Sequence, residues 1–236
     1  MYIGGVSHRI FIPTQSADDW QKLLADPGKQ WRTGYSARAL AYCWESADGF
    51  PPEVALLFSR SDVSAFQNVE ILFSLPEHKI AMPPRGGHPS QNDLFVLAKA
   101  RDGHLIAITV EGKVREPFGE TLGEWNAETS RGKNERLAFI REQLGLTGEL
   151  PAQIRYQLLH RTVSAVIEAG RFNARVAVMI VHSFNQNDLR FEDYRDFLTL
   201  FGTEAAEPSR LYWLKKIRNI ELYSGWARGD EKFLRA

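Results

Sequence analysis

Apolar residues recur at helical spacing in the first part of the chain, so helices are expected there before the main strands. A short strand is expected at the very start. Residues 16–29 follow with Ser16 as a candidate helix cap, and residues 36–46 place their apolar side chains on one side of a second helix. Pro52 can begin a third, because proline is favoured at the first helical position. The first 50 residues are therefore interpreted as an N-terminal helical extension.

The period of the apolar pattern changes near residue 69, where strands begin. Residues 68–84 contain one or two short extended stretches, and residues 93–100 and 104–114 each read as a strand. The turn residues at 101–103 lie between the last two. This region is predicted to form a β-hairpin preceded by further extended chain.

Helical patterns return after the hairpin, interrupted near residues 130–132 and 145–151, and the last helical segment covers residues 151–170. Residues 174–184 are almost all apolar, as in a strand covered on both faces. An acidic helix at 188–201 and extended segments at 211–229 complete the order. The order predicts one α/β domain over residues 1–236, with a mixed central sheet flanked by helices. Its parts are the extension at 1–50, a core at 51–183 and a C-terminal helix and strand extension at 184–236.

Composition narrows the class of protein. Lys plus Arg and Asp plus Glu each number 29, so the net charge of zero excludes the strong basic excess of a nonspecific DNA binder. The single cysteine, Cys43, excludes an internal disulfide framework and is interpreted as a small buried residue. No secretory leader and no apolar run of roughly 20 residues is present. A cytoplasmic protein that does not enter a membrane is expected.

Charged residues interrupt the hairpin at one end. Side chains alternate along a strand, so Glu111 and Lys113 point the same way at the end of the second arm. If the arms pair around the turn, Asp93 at the start of the first arm lies beside them. Two carboxylates and an ammonium group at one sheet end would be balanced by Mg²⁺, which takes oxygen ligands. The lysine could then orient a water molecule or stabilise negative charge on a phosphate.

The alternative for an isolated E-x-K is an ordinary solvated salt bridge at a strand end. Three features weigh against that alternative here. They are the upstream Asp93, its 18-residue distance from Glu111 across a hairpin, and the buried strand that follows an intervening helix.

Residues PSQND (89–93) and VEGK (110–113), in this order of elements, resemble the two motifs of the PD-(D/E)xK nuclease superfamily, which has the restriction-endonuclease-like fold. The longer stretch with SQNDLFVL, VEGKVREPFGE, RYQLLHR and VHSF is similar to an uncharacterised group of bacterial proteins placed in that superfamily. The superfamily resemblance covers about residues 50–183. Pro89 departs from the pattern, because the proline usually stands directly before the aspartate.

The resemblance implies metal-dependent phosphodiester hydrolysis with Mg²⁺ or Mn²⁺. Asp93 and Glu111 would be the metal ligands, and Lys113 the catalytic lysine. Members often add a glutamate from the first core helix, for which Glu53 and Glu45 are both candidates.

The helix after the hairpin carries a polar stripe. Gln157, His160, Arg161 and Ser164 fall at positions i, i+3, i+4 and i+7, so they share one side. The stripe could face the catalytic centre or a phosphate, with Gln157 or Arg161 contacting the substrate. The equal alternative is a solvated face of an amphipathic helix.

Two other features have more ordinary interpretations. His182 ends the buried strand and is expected to be a hydrogen-bonded core histidine rather than a site residue. Residues 209–236 have a net charge of +4 interleaved with aromatic residues, which could follow a nucleic-acid backbone. An edge hairpin whose lysines block edge-to-edge pairing is favoured there.

The expected function is therefore a Mg²⁺-dependent nuclease acting on nucleic acid, in the first place DNA, and such enzymes often work as homodimers. One alternative is a catalytically inactive fold retained as a binding or partner module, as the zero net charge suggests. The other is hydrolysis of a different phosphoester, such as a nucleotide.

Overall fold

The computed structural model describes residues 14–236, so the short strand expected at the start of the chain lies outside the described residues. These residues form a six-stranded sheet with the order β1-β2-β3-β4-β6-β5. The strands are β1 (Glu70–Ile80), β2 (Ser90–Lys99), β3 (Leu105–Lys113), β4 (Val176–Ser183), β5 (Leu211–Ile217) and β6 (Ile220–Arg228).

The sheet is mixed. Strands β1, β2 and β3 pair antiparallel, and the turn predicted at residues 101–103 joins the last two. Strand β3 pairs parallel with β4, which pairs parallel with β6, while β5 is antiparallel at the edge. Every residue of β4 is buried, as its continuous apolar run predicted. The predicted mixed α/β sheet flanked by helices is confirmed.

Helices cover both faces of the sheet. They are α1 (Pro27–Gln30), α2 (Ser36–Glu45), α3 (Pro52–Ser59), α4 (Leu122–Trp125), α5 (Arg131–Leu144), α6 (Tyr156–Arg171) and α7 (Phe191–Thr199). One core contains Leu40 of α2 and Leu57 of α3 against Ile108 and Ile180 of the sheet. The other contains side chains of α5, α6 and α7 against the opposite face, where Ala107 and Met179 lie. The alternation of each strand thus separates two cores, as period-two patterning requires.

The helix expected at residues 16–29 differs in the structure. A 3-10 helix (Ala17–Leu23) is followed by a separate short α1, and the Ser16 side chain makes no capping bond. Pro27 explains the break, because proline lacks an N–H and favours the first turn of a new helix. Asp26 caps that helix by accepting a hydrogen bond from the Lys29 N–H.

The remaining expectations about the strands are met with one refinement. Residues 70–80 form one long strand, where one or two short extended stretches were expected. The C-terminal extended segments form an edge hairpin with Lys215 and Lys216 on its outer strand, as favoured from the sequence. Among the described residues, no helix combines the length and apolar character needed to cross a membrane.

Candidate functional site

The register of the hairpin decides which side chains meet at its open end. Leu94 lies opposite Val110, so the next residues outward, Asp93 and Glu111, adjoin each other on neighbouring strands. The carboxylate of Asp93 folds back along this end, where its Oδ2 accepts the Gly112 N–H at 2.8 Å. The meeting of Asp93, Glu111 and Lys113 expected from the sequence is therefore present.

These side chains open into a cleft of about 340 Å³ between the sheet, α6 and the start of α2. Its ionisable lining includes Lys29, Glu77, Asp93, Glu111, Lys113, Glu116 and Arg161. Glu111 and Lys113 are only 3% and 4% exposed. Charged groups at such burial require partners, since unpaired charges are costly away from water.

Glu111 has its partners on both carboxylate oxygens. Lys113 Nζ and Gln157 Nε2 each donate to Oε1 at 2.7 Å, and Arg161 Nε donates to Oε2. Gln157 Oε1 also accepts from Lys113 Nζ at 3.1 Å, which closes a ring of hydrogen bonds. Burial acts to raise the pKa of Glu111, but the charges of Arg161 and Lys113 hold that pKa below its usual value. Glu111 is therefore ionised and anchored.

Asp93 is in a different electrostatic state. Burial, reinforced by the negative charge of Glu111, raises the pKa of Asp93 to about 7. The charges of Arg161 and Lys113 oppose this rise. Within residues 14–236, Asp93 forms no ion pair.

Glu77 is the site residue that the sequence reasoning missed. It lies on β1 between the pairs Pro76–Leu94 and His78–Asn92, which places it across from Asp93. Burial, followed by the charge of Asp93, raises the pKa of Glu77 to about 8. Its φ of 53° is left-handed, which is uncommon for a residue other than glycine and marks an irregularity in β1. No single sequence signal identifies it, because finding it requires the pairing of β1 with β2 across an intervening loop.

The polar stripe of α6 faces the sheet. Arg161 is 8% exposed and Ser164 is fully buried, so the interpretation of a solvated face is wrong for these residues. Ser90 Oγ accepts from Arg161 Nη1 at 3.1 Å and from Ser164 Oγ at 3.0 Å, and lies 2.8 Å from His160 Nδ1. Burial and the charge of Arg161 lower the pKa of His160 well below its usual value, so this imidazole is neutral.

This packing gives the members of the stripe different roles. Arg161 holds Glu111 and Ser90 and has little surface left for a substrate. Gln157, His160 and Arg161 all line the neighbouring pocket, and Gln157 and His160 are less buried than Arg161. Gln157 therefore fits the expected substrate contact better than Arg161.

The two glutamates proposed as accessory residues lie elsewhere. Glu45 accepts a hydrogen bond from Trp20 Nε1 at 2.8 Å, and Glu53 accepts one from His182 Nε2 at 2.8 Å. Helices α2 and α3 pack on the face of the sheet opposite Glu111, so Glu53 points towards His182 instead of the cleft. The prediction that one of them joins Asp93 and Glu111 is wrong in geometry, and His182 is the core histidine that was expected.

One family matches nearly the whole chain. It is described as a domain of unknown function (DUF6946), and the match covers residues 13–231. The chain belongs to this family. Searches of the curated proteins and of the solved structures found no match.

The donor atoms of the cleft in this DUF6946 member suit a hard divalent cation. Glu77, Asp93 and Glu111 supply carboxylate oxygens, the ligand type that Mg²⁺ and Mn²⁺ prefer. Two of the three have pKa values raised by burial and like charge, which a bound dication would reverse. The chemistry of these donor atoms therefore fits the expected metal.

A second group with possible ligand atoms lies on the other face of the sheet. Ligand atoms of Cys43, Glu53 and His182 lie within 4.8 Å of one another. Trp44 Nε1, which can only donate, contacts His182 Nδ1 at 3.2 Å, so the imidazole proton is on Nε2 and donates to Glu53. Burial raises the pKa of the Cys43 thiol, which remains protonated. In this DUF6946 protein, these side chains therefore form a hydrogen-bonded network. Its histidine has no free nitrogen lone pair for a metal.

Proposed function

We propose that the protein is a metal-dependent phosphodiester hydrolase, a DNA nuclease of the PD-(D/E)xK type that works in the cytoplasm. The observation that carries this proposal is the convergence of Asp93, Glu111 and a buried Lys113 in one cleft. The order of elements also supports it, because α3, β1 to β3, α6 and β4 follow the helix, three strands, helix and strand expected for that fold, with α4 and α5 inserted before α6.

In this proposal Asp93 and Glu111 belong to the metal site, and the bound Mg²⁺ or Mn²⁺ supplies Lewis-acid activation of water and phosphate. Lys113 directs two of its three N–H groups to Glu111 and Gln157. The third remains for the attacking water or a phosphate oxygen. Gln157 fixes the ammonium group and can touch the substrate from the adjoining pocket.

Two further pockets adjoin the cleft, and this favours a polymeric substrate. A pocket of about 780 Å³ adjoins it through Tyr35 and Glu116, and one of about 500 Å³ adjoins it through Lys113 and Gln157. The larger pocket contains the side-chain amides of residues 185–187, and the smaller contains the rings of Trp125 and Tyr156. A nucleic-acid strand could extend from the carboxylates into both pockets. A free nucleotide would not need the additional space.

The test is a cleavage assay with single-stranded DNA, double-stranded DNA, RNA and free nucleotides, each with Mg²⁺ or Mn²⁺. Lys113→Ala should reduce cleavage by about 100-fold or more, as expected when a group that assists proton transfer is removed. The matched control is Lys99→Ala at the opposite end of the same hairpin, where the lysine makes an exposed pair with Glu70. Cleavage unchanged by Lys113→Ala would exclude this site.

A second candidate function is a noncatalytic binding module. The observation favouring it is that Lys113, Gln157 and Arg161 already satisfy Glu111. In that case no DNA or nucleotide would be cleaved, and a calorimetric titration with Mg²⁺ or Mn²⁺ would give no binding heat.

A further inference from the structure

We propose that Glu77, together with Asp93, supplies the principal ligands of the metal, whereas Glu111 chiefly anchors the lysine and the arginine. This inference rests on the proposed function and specifies which carboxylates hold the cation. It departs from the pair Asp93 and Glu111 expected from the sequence.

The first step is the alignment of the carboxylates across three strands. Glu77 on β1 lies across from Asp93 on β2, and Asp93 lies beside Glu111 on β3. All three line the same cleft. Asp93 is therefore the central member of a row, with one carboxylate on either side.

The second step is which oxygen atoms remain available. Glu111 accepts hydrogen bonds on both oxygens. Glu77 accepts from Gln91 Nε2 at 2.6 Å on Oε2, and Asp93 accepts from Gly112 on Oδ2. Within residues 14–236, Glu77 Oε1 and Asp93 Oδ1 have no hydrogen-bond donor. These are therefore the oxygens of Glu77 and Asp93 that a cation could use without displacing a hydrogen bond.

The third step is the balance of charge. The buried cations of the site, Lys113 and Arg161, both contact Glu111. Arg161 is held further by Ser90, so it cannot turn towards Glu77 without losing that bond. Neither Glu77 nor Asp93 forms an ion pair among the described residues, although the charge of Arg161 acts on both. One dication would neutralise both carboxylates.

The experiment is a calorimetric titration of Mn²⁺ into the intact protein and four variants, without any nucleic acid. We expect Glu77→Gln and Asp93→Asn each to weaken Mn²⁺ binding by about 10-fold or more, because each loses a charged ligand. Glu70→Gln, on the same strand but paired with exposed Lys99, is the matched control and should bind like the wild type.

The outcomes separate this inference from the proposed function. Normal Mn²⁺ affinity in Glu77→Gln with loss in Asp93→Asn would overturn the role of Glu77 and leave the metal site intact. Absence of binding by the wild-type protein would overturn both. Since Gln retains an oxygen for Gln91 and removes a repelled charge, Glu77→Gln should fold, which circular dichroism checks. Glu77→Ser provides a second variant with the same expected loss.

Discussion

The two faces of the sheet carry contrasting polar groups at the same end of β3 and β4. On one face, Glu111 belongs to a cluster in which Asp93 and Glu77 form no ion pair among the described residues, although the charge of Arg161 acts on both. On the other, His182 lies opposite Gly112 and forms a chain with Trp44, Glu53 and Cys43. The side chains around His182 satisfy one another's hydrogen-bond donors and acceptors. In the cluster around Glu111, by contrast, carboxylates lie next to one another.

The contrast teaches what distinguishes a structural polar group from a candidate site. Burial next to opposite charge or to complementary donors keeps a group at low free energy. Burial next to like charge raises the free energy of an ionised group. Here it raises the pKa of Asp93 to about 7 and that of Glu77 to about 8. Such an arrangement is understandable where a ligand completes it.

The largest expected effect comes from removing the arginine that anchors Glu111. Arg161→Leu should lower the free energy of unfolding by about 3–5 kcal/mol, because it leaves Oε2 of the buried Glu111 carboxylate without its partner. Urea unfolding measures this. The control is Arg195→Ala, which removes the exposed pair with Glu192 and should cost less than about 1 kcal/mol. Equal effects of the two would show that burial of the Arg161 pair is energetically unimportant.

The next largest effect on stability is expected from the hydrogen-bonded network around His182, on the opposite face of the sheet. His182→Ala should cost about 2–4 kcal/mol, because the side chain is fully buried and bonds to both Trp44 and Glu53. Calorimetric affinity for Mn²⁺ should remain that of the wild type. A loss of Mn²⁺ binding in this variant would mean that the two faces do not have the separate roles described above.

A smaller effect is expected on the pH dependence of stability without metal. The folded-state pKa values of Asp93 and Glu77 are raised, so the contribution of these two groups to stability should fall as the pH rises from about 5 to 8. The lowered pKa of His160 contributes with the opposite sign, so the comparison of wild type with a variant isolates the carboxylates. Asp93→Asn removes one of these groups and should gain about 1–3 kcal/mol at pH 8. Thermal melts across this range in a chelating buffer measure the trend. A variant less stable than wild type at pH 8 would contradict the repulsion.

The smallest effect on stability is expected from Cys43, which lies at the end of the hydrogen-bonded network around His182. Cys43→Ala should cost about 1 kcal/mol, because the buried thiol contributes packing and one weak bond to Glu53. Thermal unfolding measures it, and the native wild-type thiol should resist alkylation because its pKa is raised. Rapid alkylation of native Cys43 would contradict its burial and its protonated state.

The sequence was informative where a local rule determined the geometry. The turn at residues 101–103 fixed the hairpin, and alternation then brought Asp93, Glu111 and Lys113 to one end. The continuous apolar run of β4 likewise indicated a strand covered on both faces.

The sequence was uninformative where long-range packing determined the position of a side chain. Glu77 reaches the cleft through an irregular strand paired across a loop, and neither feature has a local signal. Glu53 precedes the strands in a suitable helix, yet that helix packs on the opposite face, where His182 takes its carboxylate. The direction of the polar stripe of α6 was also open, because helical periodicity shows which residues share a face but not what that face meets.

The most direct measurement is an anomalous diffraction map of crystals soaked in Mn²⁺. The account predicts a peak in the cleft at about 2.0–2.3 Å from carboxylate oxygens of Asp93 and Glu77, with Lys113 and Arg161 still on Glu111. A cleft without a peak, or a peak instead among Cys43, Glu53 and His182, would contradict it.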